Sequence, residues 1–283
     1  MLSQHVGIWG HWNYGLLINN KLLHIMENRY MSKVLEGKVA LITGAGQGVG
    51  QGIAYALAER GAKIAVTGRT LSKCETTRDE ILRRGGQAIA LECDIQNHQQ
   101  MEETVSATVE QLGGINILVN NALSSVFGLL TDINIDDFKF ALNGGPVATL
   151  KMMQLCYPYL KQEGGSIINM GSTAAKRWDM STYGTYAADK EAIRALTRAA
   201  ASEWGIDNIR ANVILPHATS PALKSWTEAK PEEAAAFVKT IPMKRIGDCE
   251  DDIGKFVAAL CSPESAYVSG QSIAVDGAQA YMG

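Results

Sequence analysis

From residue 38 onward, short apolar runs alternate with longer segments whose apolar residues recur every three or four positions. Residues 39–43, 64–67, 88–92, 115–120, 166–170, 211–215 and 272–275 read as strands. These runs are apolar almost without interruption, as expected for strands covered on both faces of a parallel sheet. Residues 48–60, 71–84, 99–112, 136–160, 186–204 and 251–260 read as helices. The alternation predicts an α/β fold, a doubly wound seven-stranded parallel sheet with helices on both faces. No linker and no internal repeat breaks it, so residues 31–283 read as one domain.

Two segments stand outside this rhythm. Residues 216–240 follow the sixth strand and contain Pro216, Pro221, Pro231, Trp226 and many Ala and Lys. Loops after strand ends carry the ligand in such sheets, so this segment is a candidate lid. Residues 1–30 mix Trp9, Trp12 and Tyr14 with Asn and His, and lack the basic start and small-residue cleavage site of a signal peptide. Met31-Ser32-Lys33 resembles a second start. The first thirty residues therefore read as an extension, either upstream sequence or an arm that packs on a neighbour.

Composition narrows the function. A net charge of -3 with no basic block argues against a nucleic-acid partner. No apolar run approaches the roughly 20 residues that span a bilayer. The five cysteines are scattered and unpaired in pattern, which suits reduced thiols in a cytoplasmic protein. The histidines form no zinc-binding pattern, so no metal is expected.

The first strand runs directly into Thr43-Gly44-Ala45-Gly46-Gln47-Gly48-Val49-Gly50, and a helical pattern follows. Glycines let backbone approach a pyrophosphate, and a helix N-terminus offers N–H groups and positive dipole to it. Gly44, Gly48 and Gly50 fit GxxxGxG, not GxGxxG. The second strand ends in Gly68-Arg69-Thr70, with no acid to bind a ribose 2′-hydroxyl. Arg69 can instead pair with a 2′-phosphate, which favours NADP(H) over NAD(H).

Tyr186 and Lys190 stand four apart at the start of an Ala-rich helical segment, so they share one helix face. An ammonium beside a phenol favours phenolate and moves the phenol toward usable acid/base chemistry. By itself the pair also fits an ordinary solvated helix face.

Together these motifs resemble the classical short-chain dehydrogenase/reductases from about residue 35 to the C-terminus. The matching pieces are TGxxxGxG at Thr43–Gly50, Cys93-Asp94-Ile95, Leu118-Val119-Asn120-Asn121-Ala122, Asn143, Ser172, Tyr186 with Lys190, and Val275-Asp276-Gly277. The resemblance implies a Rossmann fold and a catalytic set of Asn143, Ser172, Tyr186 and Lys190. Tyr186 would be the general acid or base, and Lys190 would tune it and hold the nicotinamide ribose. Ser172 would hold the carbonyl oxygen, and Asn143 a relay water. The implied cofactor-binding set is Gly44, Gln47, Gly48, Val49, Gly50, Arg69, Asp94, Ile95, Asn120, Ala122 and Pro216, with Tyr186 and Lys190.

The same resemblance leads to an NADP(H)-dependent interconversion of a ketone and a secondary alcohol. Candidate substrates are a hydroxysteroid, a 3-oxoacyl thioester or another small carbonyl compound. A non-catalytic sensor and an enoyl reductase are the alternatives. Leu123 and His217 stand where the family usually has glycine. The serine-to-tyrosine spacing is one residue longer than usual, which places an extra residue between Lys176 and Thr182. The family commonly pairs the two helices at 136–160 and 186–204 across a two-fold axis, which implies a homodimer or homotetramer.

Overall fold

The computed structural model describes residues 33–177 and 181–280. The proposed extension at 1–30, and part of the loop that takes the extra residue, lie outside them. Seven strands form one sheet in the order β3-β2-β1-β4-β5-β6-β7. They are β1 (Val39–Thr43), β2 (Lys63–Gly68), β3 (Gln87–Glu92), β4 (Ile117–Asn120), β5 (Gly165–Met170), β6 (Ile209–Pro216) and β7 (Ser272–Val275). All pairs are parallel, with Thr43 facing Thr67 and Asn120 facing Asn169 in register. Strand order reverses between β1 and β4, and a ligand crevice opens at such a point, beyond the strand C-termini.

Side chains alternate across the sheet, so β1 feeds two cores. Ala40 and Ile42 join Ile53, Leu57, Ile64 and Val257 on one face. Leu41 joins Met101, Leu118, Met152 and Ile167 on the other. The expected double coverage holds for the inner strands. The edge strands β3 and β7 are only half-buried, because each has a neighbour on one side alone.

The helices are α1 (Gly48–Glu59), α2 (Leu71–Arg83), α3 (His98–Leu112), α4 (Ile135–Leu142), α5 (Ala148–Glu163), α6 (Gly184–Trp204), α7 (Pro221–Ala229), α8 (Pro231–Thr240) and α9 (Lys255–Cys261). The segment read as one helix over 136–160 is broken. A π-helical turn, Asn143–Val147, separates α4 from α5. Pro146 lacks the N–H that an α-helix needs and its ring crowds the preceding turn, so the backbone widens there. Gly144 and Gly145 admit close neighbours: a Cβ on Gly144 would stand 2.4 Å from the Ser124 Cβ. A second π turn, Cys249–Gly254, precedes α9 and packs on α1, where a Cβ on Gly52 would meet the Cys249 carbonyl at 2.2 Å.

The candidate lid is the helix pair α7 and α8. Each starts on a proline, where the missing N–H costs nothing. Ser220 caps α7 by accepting from the Leu223 N–H.

Candidate active site

The glycine loop leaves β1 with Gly44 and Gly48 at φ of +66° and +61°, a region that favours residues without a Cβ. Gln47 at the start of α1 makes no side-chain cap, so the first N–H groups of α1 keep their bonding capacity. They open on a groove of about 600 Å³. Its lining includes Gly44, Gln47, Gly48, Val49, Arg69, Ile95 and Ala122 from the sequence reading. Lys73, Asn121, Leu123 and Pro221 line it as well. The uncapped N-terminus, the glycines and the two cations fit a dinucleotide phosphate.

Not every motif residue faces this groove. Asn120 is buried and donates to the Asn169 side chain at 2.8 Å, and Asn169 donates to Thr197 at 2.8 Å. That chain of amides ties β4 and β5 to α6. Asn121 shapes the glycine loop instead, donating to the carbonyls of Thr43 and Gly44, both at 3.0 Å. Asp94 turns its carboxylate to the Gln96 N–H and is outside the groove lining, as is Pro216 at the end of β6.

Ser172 follows β5 and is buried, with its Oγ accepting from the Ala174 N–H at 3.2 Å. The Ser172 hydroxyl stands close enough to the Tyr186 phenol to favour its ionisation, which brings the two predicted hydroxyls together. Lys190 is buried one turn further along α6 and donates to the Met170 carbonyl at 2.7 Å. Its ammonium stands 5.6 Å from the Tyr186 ring centre. Burial pushes the ammonium down to about 8, with Asp189 opposing.

The sequence reading expects Lys190 to lower the Tyr186 pKa. The protein's own groups do the reverse. Burial dominates and raises the phenol above its ordinary value, Ser172 opposes it, and the charges of Tyr183 and Asp189 add to the rise. The cause is geometric: Lys190 points at a β5 carbonyl, and burial disfavours phenolate. A phenol held protonated is a proton donor.

Asn143 opens the π turn and is exposed, and its side chain makes no hydrogen bond among the described residues. Aromatic rings surround Tyr186. Phe127 stacks on it at 5.4 Å, and Tyr183 meets both rings edge-on at 5.0 and 5.8 Å. Phe127 is half exposed at the site's mouth. On the lid side, His217 meets Phe237 and Phe237 meets Trp226, each edge-on. Burial lowers the His217 pKa, so its ring is neutral and packs as a lid contact.

Sequence reading missed Phe127, Lys73 and the Met170 carbonyl, and it placed Asn121 in a motif without giving it a role. Lys73 carried a usable signal, since it follows Arg69 by four residues at the start of a helix. Phe127 carried none, because its loop shows no period.

A family model described as enoyl-(acyl carrier protein) reductase matches residues 44–278. A 12alpha-hydroxysteroid dehydrogenase from a Clostridium species is 37% identical over 252 residues, 86% of this chain and 97% of that protein. Among solved structures, a 7alpha-hydroxysteroid dehydrogenase complexed with NADH and 7-oxo glycochenodeoxycholic acid superposes with a TM-score of 0.83. It is 34% identical and covers 89% of this chain and 98% of its own. A blue fluorescent protein from a metagenomic library, in complex with NADPH, gives 0.79 at 33% identity, over 87% and 99% of the two chains. Fold, motif order and these likenesses agree: the chain belongs to the classical short-chain dehydrogenase/reductase family of oxidoreductases.

Proposed function

We propose that this chain interconverts a ketone and a secondary alcohol with NADP(H) in preference to NAD(H). The observation that carries the reading is the buried Ser172 hydroxyl beside the Tyr186 phenol at the sheet's C-terminal end, with Lys190 buried behind them. A bound nicotinamide would supply or take the hydride. Ser172 holds the carbonyl oxygen, and Tyr186, kept neutral by burial, gives it a proton. Lys190 supports the phenol and reaches the cofactor ribose. Asn143, at the widened turn, holds a water that returns the proton from solvent.

The α1 N-terminus and the glycine loop hold the pyrophosphate. Arg69 after β2, with Lys73 beside the glycine loop, supports the 2′-phosphate preference. Phe127 against Tyr186, and Trp226 and Phe237 on the lid helices, suit an apolar carbonyl compound. The hydroxysteroid dehydrogenases among its relatives make a hydroxysteroid the first substrate to try, ahead of a 3-oxoacyl thioester. Ile135, Phe140 and Val147 lie exposed along α4 and the turn after it. Together with the alanines of α6, they support a homodimer or homotetramer in a cytoplasmic setting.

The test is NADPH oxidation against ketones of graded size, run beside Tyr186→Phe. Losing a general acid should cost roughly 10²–10⁴ in kcat. Equal turnover by the two proteins would overturn the mechanism. The enoyl-reductase description of the matching family model favours adding an enone. Saturation of its C=C bond in place of carbonyl reduction would move the assignment to that class.

A further inference from the structure

Asp189 is a buried acid that the mechanism above leaves unused. It lies on α6 between Tyr186 and Lys190 and is 0% exposed. Neither carboxylate oxygen has a hydrogen-bond partner among the described residues. The side chain is packed against the π turn: a Cβ on Gly145 would stand 3.2 Å from Cγ and 3.4 Å from Oδ1 of Asp189. Gly144, Gly145 and Pro146 bring no titratable group to this contact.

Lys190 is the complementary case. It is 4% exposed, and its ammonium rests on one backbone carbonyl. A lone buried charge of either sign is costly, and two of opposite sign offset each other. Successive residues on a helix point about 100° apart, so the two groups need not touch. They act through a dry interior, where fields are weakly screened. Asp136, Asp137 and Lys139 on α4, and Lys176 after Ser172, are exposed, and none contributes to the titration of either group.

We propose that Asp189 is the counter-ion of Lys190, a positioning residue that keeps the ammonium charged behind Tyr186 and takes no part in proton transfer itself. The inference rests on the role of Lys190 proposed above. The directions agree. Burial pushes the Asp189 carboxyl up to about 6 while Lys190 pulls it down. Burial pushes the ammonium down to about 8 while Asp189 pulls it up. Both groups are charged between these two values.

A stability cycle tests the pairing without any substrate. Urea unfolding at pH 7 is measured for the wild type, Asp189→Asn, Lys190→Met and the double variant. Asp189→Asn should destabilise the wild type, because it strands the ammonium. In the Lys190→Met background it should stabilise, because it removes a stranded carboxylate. The same sign in both backgrounds overturns the proposal. Asp189→Ser takes the same place in the cycle should the Asn variant fail to fold.

The second readout is the pH profile of kcat/KM. The alkaline limb of Asp189→Asn should move to lower pH; a move of about one pH unit lowers activity at pH 8, relative to its own value at pH 6.5, about fourfold below wild type. An unmoved limb also overturns the proposal. A sign reversal in the cycle with no turnover by the wild type would refute the proposed function and leave the charge pairing of Asp189 with Lys190 standing.

Discussion

Arg69 offers the most direct measure of cofactor choice. It is exposed at the end of β2, lines the groove, and pairs with no carboxylate among the described residues. Lys73 stands beside it, its ammonium donating to Gln47 of the glycine loop at 2.8 Å. A charge-assisted hydrogen bond contributes about 1.5–3 kcal/mol, and the exposed setting puts this one at the lower end. Arg69→Ala should therefore lower kcat/KM for NADPH about tenfold, since 1.4 kcal/mol is a factor of ten. The value for NADH should change by less than about twofold, because the residue has no partner on an unphosphorylated ribose. Adding Lys73→Ala should bring the NADPH loss to about a hundredfold, if each cation contributes a similar amount. Screening adds an independent check. The Debye length shrinks from about 10 Å at 0.1 M salt to about 3 Å at 1 M, so the wild-type preference should shrink with it. The assay is steady-state kinetics with both cofactors at both salt concentrations. Equal losses for NADPH and NADH, or an unchanged ratio, would refute the assignment.

Two further predictions concern the scaffold. Gly52→Ala places a Cβ 2.2 Å from the Cys249 carbonyl, a backbone group that cannot swing aside. It should cost about 3 kcal/mol, the upper end for overpacking, and lower the Tm by roughly 6–12 °C; a change under about 1 °C would show that α1 slides freely over the turn. Asp252 takes a two-pronged ion pair from Arg245, with an Nη2–Oδ1 distance of 2.7 Å, and its carboxyl is held down at about 2. Its folded value lies below the unfolded one of about 3.9, so its contribution is complete above that pH and fades as pH falls through 2. Asp252→Asn should therefore lower the Tm at pH 6 and leave it nearly unchanged near pH 2, and an equal drop at both would refute the pairing.

Much of this arrangement was legible in the chain. The inner strands declare themselves because burial on both faces leaves only apolar residues. The glycine loop declares itself because Gly44 and Gly48 adopt backbone angles that other residues resist. Tyr186 and Lys190 stand out by spacing as a pair on one helix face, and the family resemblance, not spacing, singles them out with Ser172. What escaped reading was tertiary in origin. Gly144-Gly145-Pro146 signals a kink after Asn143, but its π-helical form depends on how Pro146 is accommodated in the fold. The Tyr186 pKa depends on burial and on where the Lys190 side chain points, neither of which spacing reveals. Asn120 and Asn121 are neighbours of one type, yet only the fold sends one inward to Asn169 and the other to the glycine loop.

The buried amides also bear on rate. Thr197 receives its bond from Asn169 three turns along α6 from Tyr186, and so fixes the rotation of that helix about its own axis. Side chains stand about 5–6 Å from a helix axis, so a turn of about 10° would carry a reacting group through about 1 Å. A misplacement of that size can cost about a hundredfold in rate. The azimuth of the catalytic helix is thus set by three polar side chains that no substrate ever meets.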